Sequence, residues 1–487
     1  MTNSDSSGLR VVLLAAGQGK RMKSQVPKVL HPVLGKAILG RILDAVDALD
    51  AAHVHIVVGH ESQQVCDYLQ KNSPKTPYST HLQEPQLGTG HALMQVVPDL
   101  KNFKGTLLVS VADAPLLSSA SFSRLVQAHR EKKAAFSLLT TIVDDARSYG
   151  RIVRDTKGNV THIVEDKDAS ESEKQIREIN PAIYCLEWPA VEPGLNSLRN
   201  DNKQKEYYLT DLLAWSVDKG LTVADALCDD WREVSGINSR LELAEANKLM
   251  RDQVVNRLAL EFGVTIVDPL NTWISPEVTV GQETIILPGC YITGKVEIGS
   301  KCEIGPNTQI TGPAKIGTAS VVAHSVVSKT VIGDGCKIGP FTHLRENAHV
   351  SDFCRIGNFV EIKKSDIGLQ TNVSHLSYIG DANLGQRVNI GAGTITANYN
   401  RLTGKKSKTV IGDDSSTGSN SVLIAPIVVG TQSMVAAGSV VNKDIPDGAL
   451  GLARAKQRNQ LDYVINKIEE IKLEQTQQMV KATAPTE

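Results

Sequence analysis

The first residues suited to chemistry form a glycine-rich run flanked by cations. The aliphatic stretch Val11 to Leu14 leads into Leu14-Ala15-Ala16-Gly17-Gln18-Gly19-Lys20-Arg21-Met22, and Pro27-Lys28 follows. Such a loop at a strand end exposes consecutive backbone N–H groups that surround phosphate oxygens, and Arg21 and Lys28 add the charge a triphosphate demands. A bare Gly-x-Gly would read as a turn; the strand-end position and the two cations make it a phosphate grip. It lacks the Gly-Lys-Ser/Thr ending of a Walker loop and the third glycine of a dinucleotide fingerprint, so neither a kinase nor a dehydrogenase is indicated. A second group lies far downstream, where His375 stands near Lys363, Tyr378 and Asn389, with Arg345 before them.

The elements that must carry these residues differ between the two halves. In the first, aliphatic runs at Val11 to Leu14, Val54 to Val58 and Thr106 to Val111 alternate with helical patterns at Ala37 to Leu49, His91 to Val97 and Ser121 to Lys132. This alternation predicts a parallel sheet with crossover helices and directs ligands to the carboxyl ends of the strands. From Val280 the chain counts in sixes: Ile286, Ile292, Ile298, Ile304, Ile310, Ile316, Val322, then Ile332 to Ile362, Ile367 to Ile379 and Ile411 to Val441. No helix repeats on six; a hexapeptide period marks a parallel β-helix whose aliphatic residues stack inside a triangular prism. The glycine or small residue beside each aliphatic is expected to let the chain turn. On that prism the His375 group projects outward. Between Ile390 and Ile411 the count breaks, and a loop ejected from a rigid scaffold commonly carries function.

Cys290, Cys302, Cys336 and Cys354 each precede a repeat aliphatic by two residues and therefore point inward as small core residues. With seven cysteines and no C-x-x-C pair, the chain reads as reduced and cytoplasmic. A net charge of −1 over 487 residues gives no footprint for nucleic acid. Val11 to Ala16 is too short for a signal-peptide core, and no stretch could span a membrane.

The pattern L-x-A-G-x-G-x-R-M with P-K resembles the sugar-1-phosphate nucleotidyltransferases. Gln83 and Leu87-Gly88-Thr89-Gly90-His91-Ala92, then Val111-Ala112-Asp113-Ala114-Pro115, Ser148-Tyr149-Gly150-Arg151, Val164-Glu165-Asp166-Lys167, Ile179-Asn180 and Gly236-Ile237-Asn238 follow in that family's order. The resemblance implies an α/β Rossmann-like domain that binds UTP and UDP-sugar through Leu14, Ala15, Ala16, Gly17, Lys28, Gln83, Gly88, Thr89, Val111, Ala112, Asp113, Gly150, Glu165, Asn180 and Asn238. It further implies Mg²⁺ on Asp113 and Asn238, hard oxygen donors of the kind this ion prefers, with Lys28 and Arg21 stabilising phosphoryl charge. Two departures stand out. Val111-Ala112 replaces an aromatic-Gly pair, adding a methyl group where nucleotide approaches, and Asn180-Pro181-Ala182 replaces an Asn-Thr-Gly-like run.

The second half resembles the left-handed hexapeptide acyltransferases, which are trimers, and Asn389-Ile390-Gly391-Ala392-Gly393 to Asn398-Tyr399 matches an acetyltransferase motif. Joined, the halves resemble a bacterial bifunctional family that acetylates glucosamine 1-phosphate from acetyl-CoA and then transfers uridylyl from UTP to N-acetylglucosamine 1-phosphate, feeding peptidoglycan and lipopolysaccharide precursors. The resemblance implies His375 as base, Arg345, Lys363, Tyr378 and Asn389 on the sugar phosphate, and Ala392, Asn398, Tyr399, Ser419, Ala437 and Arg454 on acetyl-CoA. It also implies a homotrimer. The expected division is a uridylyltransferase domain over 1–238, a linker helix over 239–263, a left-handed β-helix over 264–455 and a C-terminal helix and tail over 456–487. Two other functions remain open on the residues alone: a nucleotidyltransferase whose solenoid only oligomerises, and a non-catalytic sugar-nucleotide binder. His375 counts against the first; Asp113, Lys28 and Arg21 together count against the second.

Overall fold

A computed structural model describes residues 8–482. It divides into two compact units, one reaching to Thr330 and the other starting at Val331.

In the first unit, Leu9–Leu14 pairs in parallel with His53–Val58 and Thr106–Val111, and Tyr78–Leu82 adds an edge strand. The crossover helices are Ile38–Asp47, Ser62–Lys71, Thr89–Met94 and Ser119–Glu131. The sheet is not wholly parallel, however. Ile183–Glu187 runs antiparallel between Thr106–Val111 and Phe136–Ile142, and Glu178–Asn180, Gly150–Arg154 and Val160–Val164 continue antiparallel beyond. The turn at Asp155 to Asn159, which joins Gly150–Arg154 to Val160–Val164, is too short for the crossover that parallel strands require. Val223–Leu227 restores a parallel pair with Phe136–Ile142.

Helix Arg240–Phe262 forms where expected, with the Ser239 hydroxyl accepting from Glu242 N and Gly263 in the left-handed conformation at its end. Its buried face follows only part of the stripe Leu241, Ala244, Lys248, Val254, Val255, Leu258 and Phe262 that the spacing suggests. Ala246, Met250, Val254, Val255 and Leu258 are buried, while Leu241 is 83% exposed. Tertiary contacts select the face: Ala246 and Met250 pack on Met22, Val33, Leu34, Ile38, Leu116 and Ile237. The same unit takes in the first solenoid coils, since buried Arg41 pairs with Glu277 and the Arg251 guanidinium lies 4.8 Å from the Trp273 ring centroid.

Every aliphatic of the six-count is buried. Within each unit the coils stack in three parallel ladders, with Ile286 beside Ile304 and Ile338 beside Ile356, eighteen residues apart. The breaks in the count are five-residue sides: Val327 bridges Val322 and Ile332, and Leu384 follows Ile379, all buried. Coils containing a short side advance seventeen residues, as from Ile356 to Val373. The fold is a left-handed parallel β-helix of hexapeptide repeats. Cys290, Cys302, Cys336 and Cys354 lie inside it.

Several glycines beside the aliphatics have a different role from the one their position suggests. Gly299 has an ordinary φ, and a Cβ there would stand 2.7 Å from Thr318 N on the next coil. The left-handed corner falls instead on Lys301 at φ 57° and, one coil later, on Ala319 at φ 56°. At such positions glycine is required by close stacking of backbones, whereas Gly305 at φ 107° and Gly339 at φ 99° need it for the conformation of the chain itself.

Between Ile390 and Ile411 the interior place goes to Thr396, whose Oγ1 accepts from Gly380 N. The chain then leaves the prism as a small hairpin of Tyr399–Asn400 and Lys405–Lys406. A helical stripe from Asn459 to Gln475 is expected at the C-terminus, and the helix found is Tyr463–Ala482. It does not pack on the chain's own solenoid: Val464, Ile468 and Ile471 are exposed. The reading of Ala482 to Glu487 as a disordered end falls, past Ala482, outside the described residues. No helix among the described residues is long and apolar enough to cross a membrane.

Candidate active sites

The first site gathers at the carboxyl ends of the parallel strands. A cavity of about 480 Å³ is lined by Leu14, Ala15, Ala16, Gly17, Lys28, Gln83, Gly88, Thr89, Val111 and Asp113. These segments meet because the strands ending at Leu14, Val58, Leu82 and Val111 are parallel and deliver their loops to one edge. Gln18, Lys20, Gln86 and Glu206 also line it and were missed by the motif reading, although Gln18 and Lys20 sit inside the glycine-rich run itself. Arg21 does not line it; it is exposed on the 3-10 turn Lys20–Met22.

At the floor, the Lys28 ammonium donates to an Asp113 carboxylate oxygen and, at 3.0 Å, to Asn238 Oδ1. The two oxygens thus converge on one cationic centre, although 125 residues of chain separate them by sequence number. Asp113 is anchored through its carbonyl, which accepts from Ile237 N at 2.9 Å. Asn238 is held by its backbone N–H, which donates to Glu242 Oε2 at 2.6 Å across the helix cap. A hard oxygen pair already facing a cation is a donor set that fits Mg²⁺.

Gly150, Glu165 and Asn180 form a neighbouring cluster that does not line the cavity. Gly150 pairs with Asn180 in register, and a Cβ on Gly150 would stand 3.6 Å from Glu165 Oε2. Asn180 is buried, donating to Tyr184 Oη at 2.7 Å. Burial raises the Glu165 carboxyl, opposed by the Thr210 hydroxyl and reinforced by Asp211, Asp168 and Glu206.

Both sequence departures acquire a structural reading. Ala112 is fully buried in the hydrophobic core cluster that also holds Leu13, Val54, Leu108 and Leu139, and it does not line the cavity where its position in the motif suggests crowding; Val111 does. Ala182 holds φ 61°, with its N–H donating to Asn180 Oδ1. A glycine would adopt that conformation freely, whereas a Cβ there costs roughly 1–2 kcal/mol.

The second site is built on solenoid corners. Corner hydrogen bonds run from Leu376 N to Asn358 O, Gly393 N to His375 O, Asn420 N to Ala392 O and Gly438 N to Ser419 O. His375, Ala392, Ser419 and Ala437 are therefore equivalent positions on successive coils, a row with about 4.8 Å between neighbours. Arg454 ends the row, its Nη1 donating to Ala437 O at 2.9 Å. His375 is exposed, and its Nδ1 lies 2.9 Å from Asn358 Oδ1, directly across the ladder. An amide oxygen can only accept, so Nδ1 carries the proton and Nε2 keeps its lone pair. Asn358 was missed by the motif reading; the seventeen-residue coil between Ile356 and Val373 is the signal that points to it.

On the adjoining face, Glu361 is in register with Tyr378 and Lys363 with Gly380. Arg345 Nη1 donates to Glu361 Oε1 at 2.7 Å, which raises the guanidinium's already high pKa. Lys363 lies 3.8 Å from Glu346. The Tyr378 ring lies across Gly380, where a Cβ would stand 2.4 Å from Tyr378 Oη. Asn389 is exposed on the preceding face, beside Asn372. Asn398 is buried against Asp381, and Tyr399 is exposed on the hairpin. Asn358→Ala is expected to lower acetyl-transfer kcat about tenfold, the equivalent of one lost hydrogen bond of roughly 1.5 kcal/mol. An unchanged kcat in a steady-state assay would remove Asn358 as the orienting group.

A phosphate-gripping α/β domain followed by a hexapeptide solenoid with an exposed, oriented histidine defines a two-site transferase. A model of the MobA-like NTP transferase domain matches residues 11–181, and one of the GMPPB C-terminal domain matches residues 274–352. The Bifunctional protein GlmU of Listeria welshimeri is 43% identical over 464 residues, covering 93% of this chain and 97% of its own. Those of Synechococcus elongatus, at 43% over 92% and 96%, and of an Exiguobacterium species, at 44% over 93% and 98%, are equally similar. The chain belongs to the GlmU family of bifunctional proteins. It is an N-acetylglucosamine-1-phosphate uridyltransferase and a glucosamine-1-phosphate acetyltransferase, and it uses acetyl-CoA.

Proposed function

We propose that the two activities are divided between the two residue clusters, uridylyl transfer at residues 14–238 and acetyl transfer at residues 345–454, with the linker helix over 239–263 and the tail over 456–487 outside both. The observation that carries this reading is the Asn358–His375 pair, which leaves an imidazole lone pair facing outward on a surface with no other need of one.

In acetyl transfer, Lys363 and Arg345 bind the phosphate of glucosamine 1-phosphate, and Tyr378 and Asn389 position the sugar. Nε2 of His375 takes a proton from the ammonium, the freed lone pair attacks the thioester carbonyl, and the proton passes to the departing thiolate. The pantetheine arm follows the row Ala392, Ser419 and Ala437, with Asn398 and Tyr399 beside it and Arg454 meeting the nucleotide end. In uridylyl transfer, a phosphate oxygen of N-acetylglucosamine 1-phosphate attacks the α-phosphorus of UTP and pyrophosphate leaves. The backbone N–H groups of Ala15 to Gly17 hold phosphate oxygens, Gln83, Gly88 and Thr89 hold the base, and Lys28 offsets the charge that grows on the phosphoryl oxygens, Arg21 standing outside the cavity. Asp113 and Asn238 would hold Mg²⁺, which when bound neutralises phosphate charge. Gly150, Glu165 and Asn180 hold the amino sugar.

A homotrimer in the cytoplasm completes the reading. Supporting it are outward apolar residues such as Ile424, Val428, Met434 and Val440, the exposed face of the C-terminal helix, and cysteines without disulfides. Sedimentation is expected to give a species of three chains; a fully active monomer would refute the need for a trimer. With UTP, acetyl-CoA and glucosamine 1-phosphate supplied together, EDTA is expected to halt the reaction at N-acetylglucosamine 1-phosphate while CoA release continues. Loss of CoA release as well would sink the assignment of metal to the first cluster alone.

A further inference from the structure

Three histidines meet on the edge of the nucleotide domain, away from every residue used above. His53 and His55 alternate along His53–Val58, Ser79 and His81 along Tyr78–Leu82, and the parallel register sets His55 beside Ser79, so their side chains share one face. Three ring nitrogens converge on a single hydroxyl: Ser79 Oγ lies 3.0 Å from His53 Nε2, 3.1 Å from His55 Nδ1 and 3.0 Å from His81 Nε2. His55 Nδ1 and His81 Nε2 are themselves 3.1 Å apart. Asp99 brings a carboxylate oxygen to 3.7 Å from His81 Nε2, and the ligating atoms of His55, His81 and Asp99 all lie within 4.8 Å of one another.

The spacing is that of a metal site. Two imidazole nitrogens bound at 2.0–2.1 Å to a tetrahedral Zn²⁺ stand roughly 3.3 Å apart. His55 is 1% exposed, and its other nitrogen, Nε2, is buried with no hydrogen-bond partner. His81 makes a backbone hydrogen bond at Gln95, the kind of outer contact that fixes a ligating ring. Arg10 is the nearby cation; its Nη1 donates to Asp99 O and its guanidinium rests over Phe103, so the Asp99 carboxylate remains available to balance charge.

We infer that His55, His81 and Asp99 bind a borderline-soft divalent transition-metal ion of the Zn²⁺ type, with Ser79 or water completing a tetrahedron. Mg²⁺, which prefers all-oxygen sites, would not compete. The ion would clamp the edge strand Tyr78–Leu82 to its neighbour His53–Val58 two residues before Gln83, which lines the nucleotide cavity.

The test uses the full chain, stripped with chelator and returned to Mg²⁺ buffer. Titrated with Zn²⁺, the wild type is expected to retain one ion per chain through gel filtration and to melt at a higher temperature. Co²⁺ should give the intense visible bands of tetrahedral coordination. His81→Gln and Asp99→Asn are each expected to weaken binding at least about tenfold and to lose the cobalt bands; Asp99 is exposed, so its variant folds whatever His81→Gln does. A wild type that retains no ion, or an Asp99→Asn chain with wild-type affinity and spectrum, overturns the site.

Discussion

Asp113→Ala is expected to abolish UDP-sugar formation and to leave acetyl transfer nearly intact. The carboxylate shares the Lys28 ammonium with Asn238, and the pair is mostly shielded, with side-chain exposures of 11% for Lys28 and 18% for Asp113. Removing it takes away a hard oxygen donor and leaves Lys28 a buried cation with one partner fewer, so ground-state geometry and transition-state charge balance fail together. Asp113→Asn separates the effects, because it keeps shape and a neutral oxygen while losing charge. Assays of pyrophosphate release and CoA release on the same preparation check the outcome. Silencing of both activities in a folded Asp113→Asn chain would sink the two-site reading.

His375→Ala is expected to lower acetyl-transfer kcat by ~10² to 10⁴, the usual worth of a positioned general base. Uridylyl transfer, supplied directly with N-acetylglucosamine 1-phosphate, should not change. An ammonium has no lone pair for the thioester carbonyl, and the outward Nε2 of His375, fixed by Asn358 on the other nitrogen, is the group placed to expose one. Retention of more than about a tenth of wild-type acetyl transfer falls below the range for a general base and would remove His375 from that role.

Much of the molecule is legible before folding because hydrophobic periodicity is a local property. The six-count from Val280 to Val441 names most of the interior of the solenoid, while the five-residue sides at Val322–Ile332 and Ile379–Leu384 emerge from the buried places of Val327 and Leu384. The glycine-rich run and the strand-end carboxylate are equally local, since a loop after a strand presents backbone N–H groups wherever the strand lies. Helix Arg240–Phe262 shows the boundary of such reading: its caps at Ser239 and Gly263 are chemical and visible, but its buried face depends on what packs against it.

By itself the sequence determined the two architectures, the interior of the prism and the phosphate grip, because each follows from side chains within a few positions of one another. The tertiary structure alone decided which distant residues meet. Lys28, Asp113 and Asn238 converge through sheet order and a helix cap, and Ile183–Glu187 enters the sheet antiparallel between two strands that are distant from it in sequence. His375 faces Asn358 because a coil with one five-residue side advances seventeen residues instead of eighteen, which shifts the register by one and sets an amide oxygen beside the imidazole. The His55, His81 and Asp99 cluster has the same origin, since only the pairing of the edge strand Tyr78–Leu82 with His53–Val58 brings its ring nitrogens to one hydroxyl.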